Sequence, residues 1–306
     1  MAILGKEIMS NVPNLFILGA PKSGTTAFAN NISQHKDIFI SKKKEPRFFD
    51  AHVFYDYEED YPIKSLEIYL DLFVSKSSQE SKYRLDASVF NMYSKKSISN
   101  ILSLSPDAKF IILLREPLSA SISMHKQRLA YVDVKMREIS DDFMACWREL
   151  DNRKNNKGYP KGCRNKILFR YDLLYSYELY LPFIMGKIKE ENLFIGFYED
   201  FINTPELLYA EIFDFLGVEN ITVNNETLNN PRVIKKSKLL EYVVFLSEKT
   251  FNIRQRLGLT GGLIKKIKQY VFSLYEVNVF SEKKSDKTVR DFFLNTNQFL
   301  DEIKKE

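Results

Sequence analysis

The sequence predicts an α/β domain with a central, mostly parallel β-sheet that carries helices on both of its faces. Short apolar runs alternate with segments of helical periodicity along the chain, which is typical of βαβ units. The run KFIILL at residues 109–114 is apolar without alternation, so it suits a strand that is covered on both faces. With 306 residues, of which 44% are hydrophobic, the chain is long enough to bury such a core.

Five apolar runs predict the strands of this sheet. They are residues 14–18 (NLFIL), 37–40, 83–87, 109–114 and 193–197 (LFIGF). Apolar spacing of i, i+3 and i+4 predicts the main helices between them. These are residues 25–34, 63–74, 173–189 and 205–216, with Pro62 in a first turn and Gly217 ending the last helix.

The chain carries no internal repeat or low-complexity linker, so residues 1–306 are expected to form one domain. Within it, residues 1–13 are predicted to be an N-terminal extension and residues 220–306 a helical C-terminal part. A net charge of +5 favours an anionic ligand such as a nucleotide or an acidic glycan, although an ordinary solvated surface gives the same value. Nucleic acid is not expected as a partner.

The two cysteines, Cys146 and Cys163, lack metal-ligand spacing, and no metal site is expected. They are interpreted as reduced thiols of a cytoplasmic protein, with a single disulfide as the alternative. No apolar run has the length of a signal sequence or of a membrane span, so no integral membrane segment is expected. The composition favours a bacterial cytoplasmic enzyme; a Golgi location applies if the chain is part of a longer eukaryotic protein.

Residues 19–26, GAPKSGTT, join the first predicted strand to the first predicted helix. Glycines permit a close backbone approach, and the free amides of a helix N-terminus bind anions. The predicted ligand contacts are Lys22, Ser23, Gly24, Thr25 and Thr26. A nucleoside-triphosphate loop has lysine directly after its second glycine. Thr25 stands there instead, so a P-loop kinase becomes the less favoured alternative.

A second anion site is predicted where the 109–114 strand ends. Arg115 follows that strand directly, and Ser123 lies two turns along the next predicted helix. A guanidinium and a hydroxyl in this arrangement can both contact one terminal phosphate. The alternative is an arginine that caps the sheet edge and a serine on a solvated face.

These motifs, with Lys44-Glu-Pro-Arg-Phe-Phe-Asp50, resemble those of the sulfotransferases that use 3′-phosphoadenosine 5′-phosphosulfate (PAPS). The resemblance is to the branch of the heparan-sulfate sulfotransferases and their bacterial relatives. It implies a P-loop-like fold, PAPS as the sulfuryl donor and in-line transfer to an acceptor hydroxyl. Glu45 is then the candidate general base, with His52 as a minor rival, and Lys22 neutralises charge on the leaving oxygen.

The resemblance also implies nucleotide contacts late in the chain. Tyr177 is expected to contact the nucleotide, and Lys236 and Ser237 belong to a basic loop expected to close over it. There are two departures. Several heparan-sulfate enzymes have Glu-Lys-Thr/Ser where this chain has Asp86-Ala-Ser88, so a lysine near the transferred group is missing at Ala87. Arg47 stands where histidine is commoner.

The acceptor is expected to be a saccharide hydroxyl, while a lipid, a small alcohol or a protein tyrosine stays open. The fold and the nucleotide loops do not encode the acceptor. Besides the kinase, a non-catalytic module that binds polyanions or glycans is the second alternative. The joint presence of Lys22, Glu45, Arg115 and Ser123 argues against that module.

Overall fold

The computed structural model describes residues 11–131, 133–224 and 287–305. Its centre is a five-stranded sheet formed by β1 (Leu15–Gly19), β2 (Ile38–Ile40), β3 (Tyr83–Asp86), β4 (Lys109–Leu114) and β5 (Leu193–Phe197). The strand order is β2-β3-β1-β4-β5, and every neighbouring pair is parallel. All five predicted strands are confirmed, each to within one residue at either end.

The central strands are covered on both faces. All five residues of β1 are buried, as are the last five of β4. Because successive side chains of a strand point to opposite faces, this burial requires packing on both sides of the sheet. Phe16 of β1 and Phe110 of β4 stack with ring centroids 5.7 Å apart, which joins the two strands inside one core.

The helices of the described residues follow in chain order. They are α1 (Thr25–Ile32), α2 (Ala51–Phe54), α3 (Leu66–Leu70), α4 (Lys76–Glu80), α5 (Lys95–Leu104), α6 (Pro117–Leu129), α7 (Phe143–Arg148), α8 (Leu150–Lys154), α9 (Tyr171–Leu174), α10 (Leu181–Lys187), α11 (Tyr198–Asn203), α12 (Pro205–Leu216), α13 (Lys287–Phe292) and α14 (Leu294–Ile303). The prediction of α12 is confirmed, and Gly217 ends it in the left-handed conformation with φ 59°.

The predicted helix over residues 173–189 is wrong. The chain forms α9, a 3₁₀ turn at Tyr177–Leu179 and then α10, in whose first turn Pro182 lies. Proline has no N–H and its ring blocks the preceding turn, so a continuous helix cannot pass through it. The Ser176 hydroxyl also donates to the carbonyl oxygen of Asp172 at 2.8 Å, which competes with the helical backbone bonds.

The predicted helix over residues 63–74 is shorter than expected. It consists of α3 and a 3₁₀ turn at Asp71–Phe73. The helix begins after Ser65, whose hydroxyl accepts a hydrogen bond from the amide of Ile68, and Pro62 lies outside it. A side-chain cap of this kind satisfies one of the unpaired amides of the first turn and so favours a helix start at this position.

The sheet topology places the ligand-binding edge. The chain builds β2 and β3 on one side of β1 and then crosses to β4 and β5 on the other. In open parallel sheets, ligands bind at the carboxyl ends of the strands where this switch occurs. The loops after β1 and β4 lie at that edge, which brings the two predicted anion motifs together.

Of the predicted C-terminal part, residues 220–224 and 287–305 are described. Thr296 of α14 donates to a carboxylate oxygen of Glu178 at 2.7 Å, and Phe293 packs edge-on against Trp147. These helices therefore pack on the rest of the fold. Lys236 and Ser237, predicted to contact the nucleotide, lie outside the described residues. The single-domain boundaries stay a prediction.

Candidate active site

The loop after β1 needs glycine at its last position. Gly24 has φ 74°, and a Cβ atom added there would lie 2.9 Å from the Phe201 ring and 3.1 Å from the Tyr198 ring. An L-residue would therefore be strained and would also collide with α11. Lys22 adopts a positive φ of 72° as well, so the loop makes a sharp turn immediately before α1.

The N-terminus of α1 has the features of an anion site. Its cap residue has no side chain, and its first turn contains no acidic residue. The first amides of an α-helix lack intrahelical acceptors, and the helix dipole favours a negative charge beside them. The Ser23 and Thr25 side chains are buried, whereas Thr26 is exposed. Of the two threonine hydroxyls predicted as donors, only that of Thr26 is exposed.

Arg115 braces this loop from the end of β4. Its Nη1 atom donates to the carbonyl oxygen of Lys22 at 3.0 Å, and its guanidinium lies 4.2 Å from the centre of the Tyr198 ring. The Tyr177 hydroxyl in turn donates to the Arg115 carbonyl oxygen at 3.1 Å. Sequence reasoning predicted Arg115 and Tyr177 as nucleotide contacts; it did not predict that Arg115 holds the loop or that Tyr177 holds Arg115.

The remaining predicted contact of this motif is Ser123. It lies half-buried near the middle of α6, the helix that follows Arg115. Glu116 begins that helix by accepting from the amides of Leu118 and Ser119. Tyr177 is fully buried, and burial raises the pKa of its phenol, so it stays neutral. That Ser123 and Tyr177 contact the nucleotide stays a prediction.

The candidate base Glu45 lies between two cations. Lys44 Nζ is 2.9 Å from Glu45 Oε1, and Arg47 Nη2 donates to Glu45 Oε2. Lys44 Nζ also donates to Thr26 Oγ1 at 2.8 Å. The segment that carries Glu45 therefore contacts α1, the helix that follows the phosphate loop, which is the name used here for residues 19–26. A carboxylate offers about four lone-pair positions, so each Glu45 oxygen keeps one for a further donor.

Arg47 connects Glu45 to a buried carboxylate. Its Nη1 atom lies 3.2 Å from Asp50 Oδ2, and its guanidinium packs 3.7 Å from the centre of the Phe54 ring. Arg47 has φ 56°, and with Lys22 it is one of three non-glycine residues with positive φ in the described part of the chain. Strained residues persist where surrounding contacts hold them, and they concentrate at functional sites.

Two buried carboxylates lie beneath this arginine. Asp50 is fully buried, and desolvation raises its pKa to about 7, with Arg47 acting in the opposite direction and the Asp86 and Glu45 charges adding to the rise. Burial also raises the pKa of Asp86, which accepts from the Tyr69 hydroxyl at 2.6 Å and from the Ser88 amide. Sequence reasoning assigned these groups no role, although Asp50 ends the quoted motif and Asp86 begins the segment Asp86-Ala-Ser88 that departs from the family pattern.

The rival base His52 contacts Ser94. Its Nε2 atom lies 2.8 Å from the Ser94 hydroxyl, and burial lowers the pKa of its imidazole. No group of three or more carboxylate, histidine or cysteine side chains positioned to hold a metal ion occurs among the described residues. Likewise, none of the helices in the described ranges has the length and apolar character needed to cross a membrane.

The parallel sheet of order 2-3-1-4-5 and the glycine loop between β1 and α1 define a P-loop-like α/β protein. Within that class, the chain belongs to the sulfotransferase domain family, whose profile matches residues 12–272. The family resemblance predicted from the motifs is confirmed. Membership in this family does not favour the kinase or the non-catalytic module.

Two curated relatives are heparan-sulfate enzymes. The bifunctional heparan sulfate N-deacetylase/N-sulfotransferase 4 of Mus musculus is 27% identical over 128 residues, which cover 42% of this chain and 14% of the relative. The human heparan sulfate glucosamine 3-O-sulfotransferase 3A1 is 27% identical over 130 residues, which cover 42% of this chain and 29% of the relative. The matched regions thus span less than a third of either relative.

A solved structure is similar over most of the chain. The sulfotransferase from Alicyclobacillus acidocaldarius superimposes with a TM-score of 0.60 at 23% sequence identity. The alignment covers 81% of this chain and 96% of that protein. At this identity, the comparison confirms the predicted fold.

Proposed function

We propose that the protein transfers a sulfuryl group from PAPS to a hydroxyl group of a saccharide. The observation that carries the proposal is the contact of Lys44 with both Thr26 and Glu45. It brings a carboxylate base to the helix N-terminus at which an anionic donor would bind. Family membership supports the reaction type.

The hydrogen-bond donors of the site fit a nucleotide that carries phosphate groups on both its 5′ and its 3′ oxygen. The uncapped N-terminus of α1 and the ammonium of Lys22 suit the 5′-phosphosulfate. Arg115 and Ser123 follow β4 and would hold the 3′-phosphate. The missing Cβ of Gly24 leaves the backbone open to close approach. PAPS, when bound, supplies the activated sulfuryl group; the chain supplies binding, orientation and the proton acceptor.

Glu45 would receive the proton of the acceptor hydroxyl as the new oxygen–sulfur bond forms. Lys22 would neutralise the charge that develops on the leaving phosphate oxygen. Electrostatic stabilisation and positioning dominate phosphoryl transfer, and the same charge problem applies here. A positioned general base contributes about 10²–10⁴-fold to such a step.

The saccharide acceptor rests on the relatives, whose names describe sulfation of heparan sulfate. We also propose a cytoplasmic location. Cys146 and Cys163 are both free thiols, which suits a reducing compartment. Cell fractionation with thiol labelling would test that location, and a disulfide-linked or secreted product would contradict it.

A ligand comparison tests the function directly. Adenosine 3′,5′-bisphosphate at 100 times its dissociation constant should raise the unfolding free energy by about 2.7 kcal/mol. Mg-ATP at the same concentration should not. Transfer of labelled sulfate from PAPS to a panel of oligosaccharides should then identify the acceptor. Stabilisation by Mg-ATP alone, or binding without transfer to any acceptor, would contradict the proposal.

A further inference from the structure

The Lys44 ammonium lies between the phosphate loop's helix and the candidate base. Its Nζ atom is 2.8 Å from Thr26 Oγ1 and 2.9 Å from Glu45 Oε1. Thr26 is the second residue of α1, so this contact lies beside the helix's free amides. The Lys44 side chain is 24% exposed, which leaves it partly desolvated and still open to a ligand.

An ion pair between two neighbouring, partly exposed residues contributes little to folding stability. The contact to Thr26 is therefore the informative one, because it holds the ammonium at the helix N-terminus. An ammonium has three N–H donors. Thr26 and Glu45 accept two of them in the structure, and one is left for a further acceptor.

The charge distribution around this position points to the same conclusion. Position 87, next to the buried Asp86, is an alanine with no exposed surface, so it supplies no cation. Arg47 contacts the other oxygen of Glu45, and Lys22 is assigned to the leaving phosphate oxygen, so the cation on the Thr26 side of Glu45 is Lys44.

We propose that Lys44 is a catalytic residue whose third N–H binds an oxygen of the transferred sulfuryl group. This inference rests on the proposed function. The acceptor oxygen bonds to sulfur while the bridging sulfur–oxygen bond breaks. That bond's electron pair passes to the 5′-phosphate of the leaving adenosine 3′,5′-bisphosphate, and the hydroxyl proton passes to Glu45. Lys44 stabilises the sulfuryl oxygens throughout and keeps Glu45 facing them.

The decisive experiment compares two ligands that differ only in the sulfuryl group. Affinities for PAPS and for adenosine 3′,5′-bisphosphate are measured by calorimetry on the wild type, Lys44→Met, Lys44→Arg and Lys43→Met. Lys43 is the matched control, because it is an exposed lysine next to Lys44. Lys44→Met should weaken PAPS binding about tenfold or more and change bisphosphate binding by less than about twofold. Lys44→Arg should recover part of the loss.

The outcomes separate this inference from the proposed function. If Lys44→Met keeps the wild-type ratio of the two affinities, whether both are unchanged or both fall equally, Lys44 does not contact the sulfuryl group. A matching loss in Lys43→Met would show a general charge effect and would also overturn the inference. If the wild type itself binds neither ligand, the result contradicts the proposed function, and with it the role of Lys44.

Discussion

The Nη1 atom of Arg115 lies 3.0 Å from the carbonyl oxygen of Lys22, so the motif after β4 holds the loop after β1 in place. The same guanidinium stacks on the Tyr198 ring. One arginine therefore fixes the shape of the phosphate loop before any ligand arrives. Holding groups in the reactive geometry is itself a source of rate enhancement.

Replacing Arg115 by lysine should weaken binding of adenosine 3′,5′-bisphosphate by about tenfold or more. Lysine keeps the charge but loses the planar fork that reaches the Lys22 carbonyl while it stacks on Tyr198. Calorimetric titration measures the loss. Arg148→Lys, at an exposed position, is the control and should bind as the wild type does. Equal affinities for both variants would rule out a role of the guanidinium geometry.

Glu45→Gln should reduce sulfate transfer by about 10²–10⁴-fold. The amide keeps the shape of the side chain but cannot accept a proton from the acceptor. Nucleotide binding should change little, since Glu45 contacts the loop only through Lys44. Initial rates with labelled PAPS test this, with Glu190→Gln on the surface as the control. Full activity in Glu45→Gln would exclude Glu45 as the base and direct attention to His52.

Gly24→Ala should destabilise the fold by about 1–3 kcal/mol and abolish nucleotide binding. The new methyl group would meet the Phe201 ring at 2.9 Å, and alanine resists a φ of 74°. Gly186→Ala is the matched control. Gly186 lies in α10, and a Cβ atom added there meets nothing within 4 Å. That control should be neutral or stabilising. Urea denaturation and thermal shift with ligand measure both effects.

Asp50 predicts a specific pH dependence of stability. Its pKa is about 7 in the folded protein and 3.8 unperturbed, so the folded state binds the proton more tightly. The contribution of Asp50 to the free energy of unfolding is fully present below pH 3.8, the unperturbed pKa, and is lost as the pH rises from there to about 7. Between pH 5 and 8 the wild type should lose about 2–3 kcal/mol relative to Asp50→Asn. Parallel pH profiles of the two proteins would contradict the assignment.

The strands were readable from sequence because strands buried on both faces are continuous apolar runs, as in β1 and β4. The structure of residues 173–189 was not readable from sequence, because their apolar periodicity predicts one continuous helix and gives no sign that the helix is interrupted. Pro182 and the tertiary hydrogen bond from Tyr177 to Arg115 decide that segment. Local spacing carries no information about a contact 62 residues away.

The candidate site divides in the same way. Glu45, Lys22 and Arg115 could be proposed from motifs, since each lies in a short pattern, and their roles stay predictions. The bond between Tyr69 and Asp86 and the one between Lys44 and Thr26 join segments 17 and 18 residues apart. Neither follows from residue type or spacing. Only the sheet order, which sets β3 between β2 and β1, brings these groups together.

The position of Lys44 has a consequence for the order of events. Its ammonium contacts Thr26, where we propose that the donor binds, and Glu45, where we propose that the acceptor binds, so a ligand that displaces either contact changes the energy of the other. Donor and acceptor binding are then thermodynamically linked, and by reciprocity each changes the affinity of the other by the same factor. In steady-state kinetics, the concentration of one substrate should therefore change the apparent KM for the other. This dependence should be lost when Lys44 is replaced.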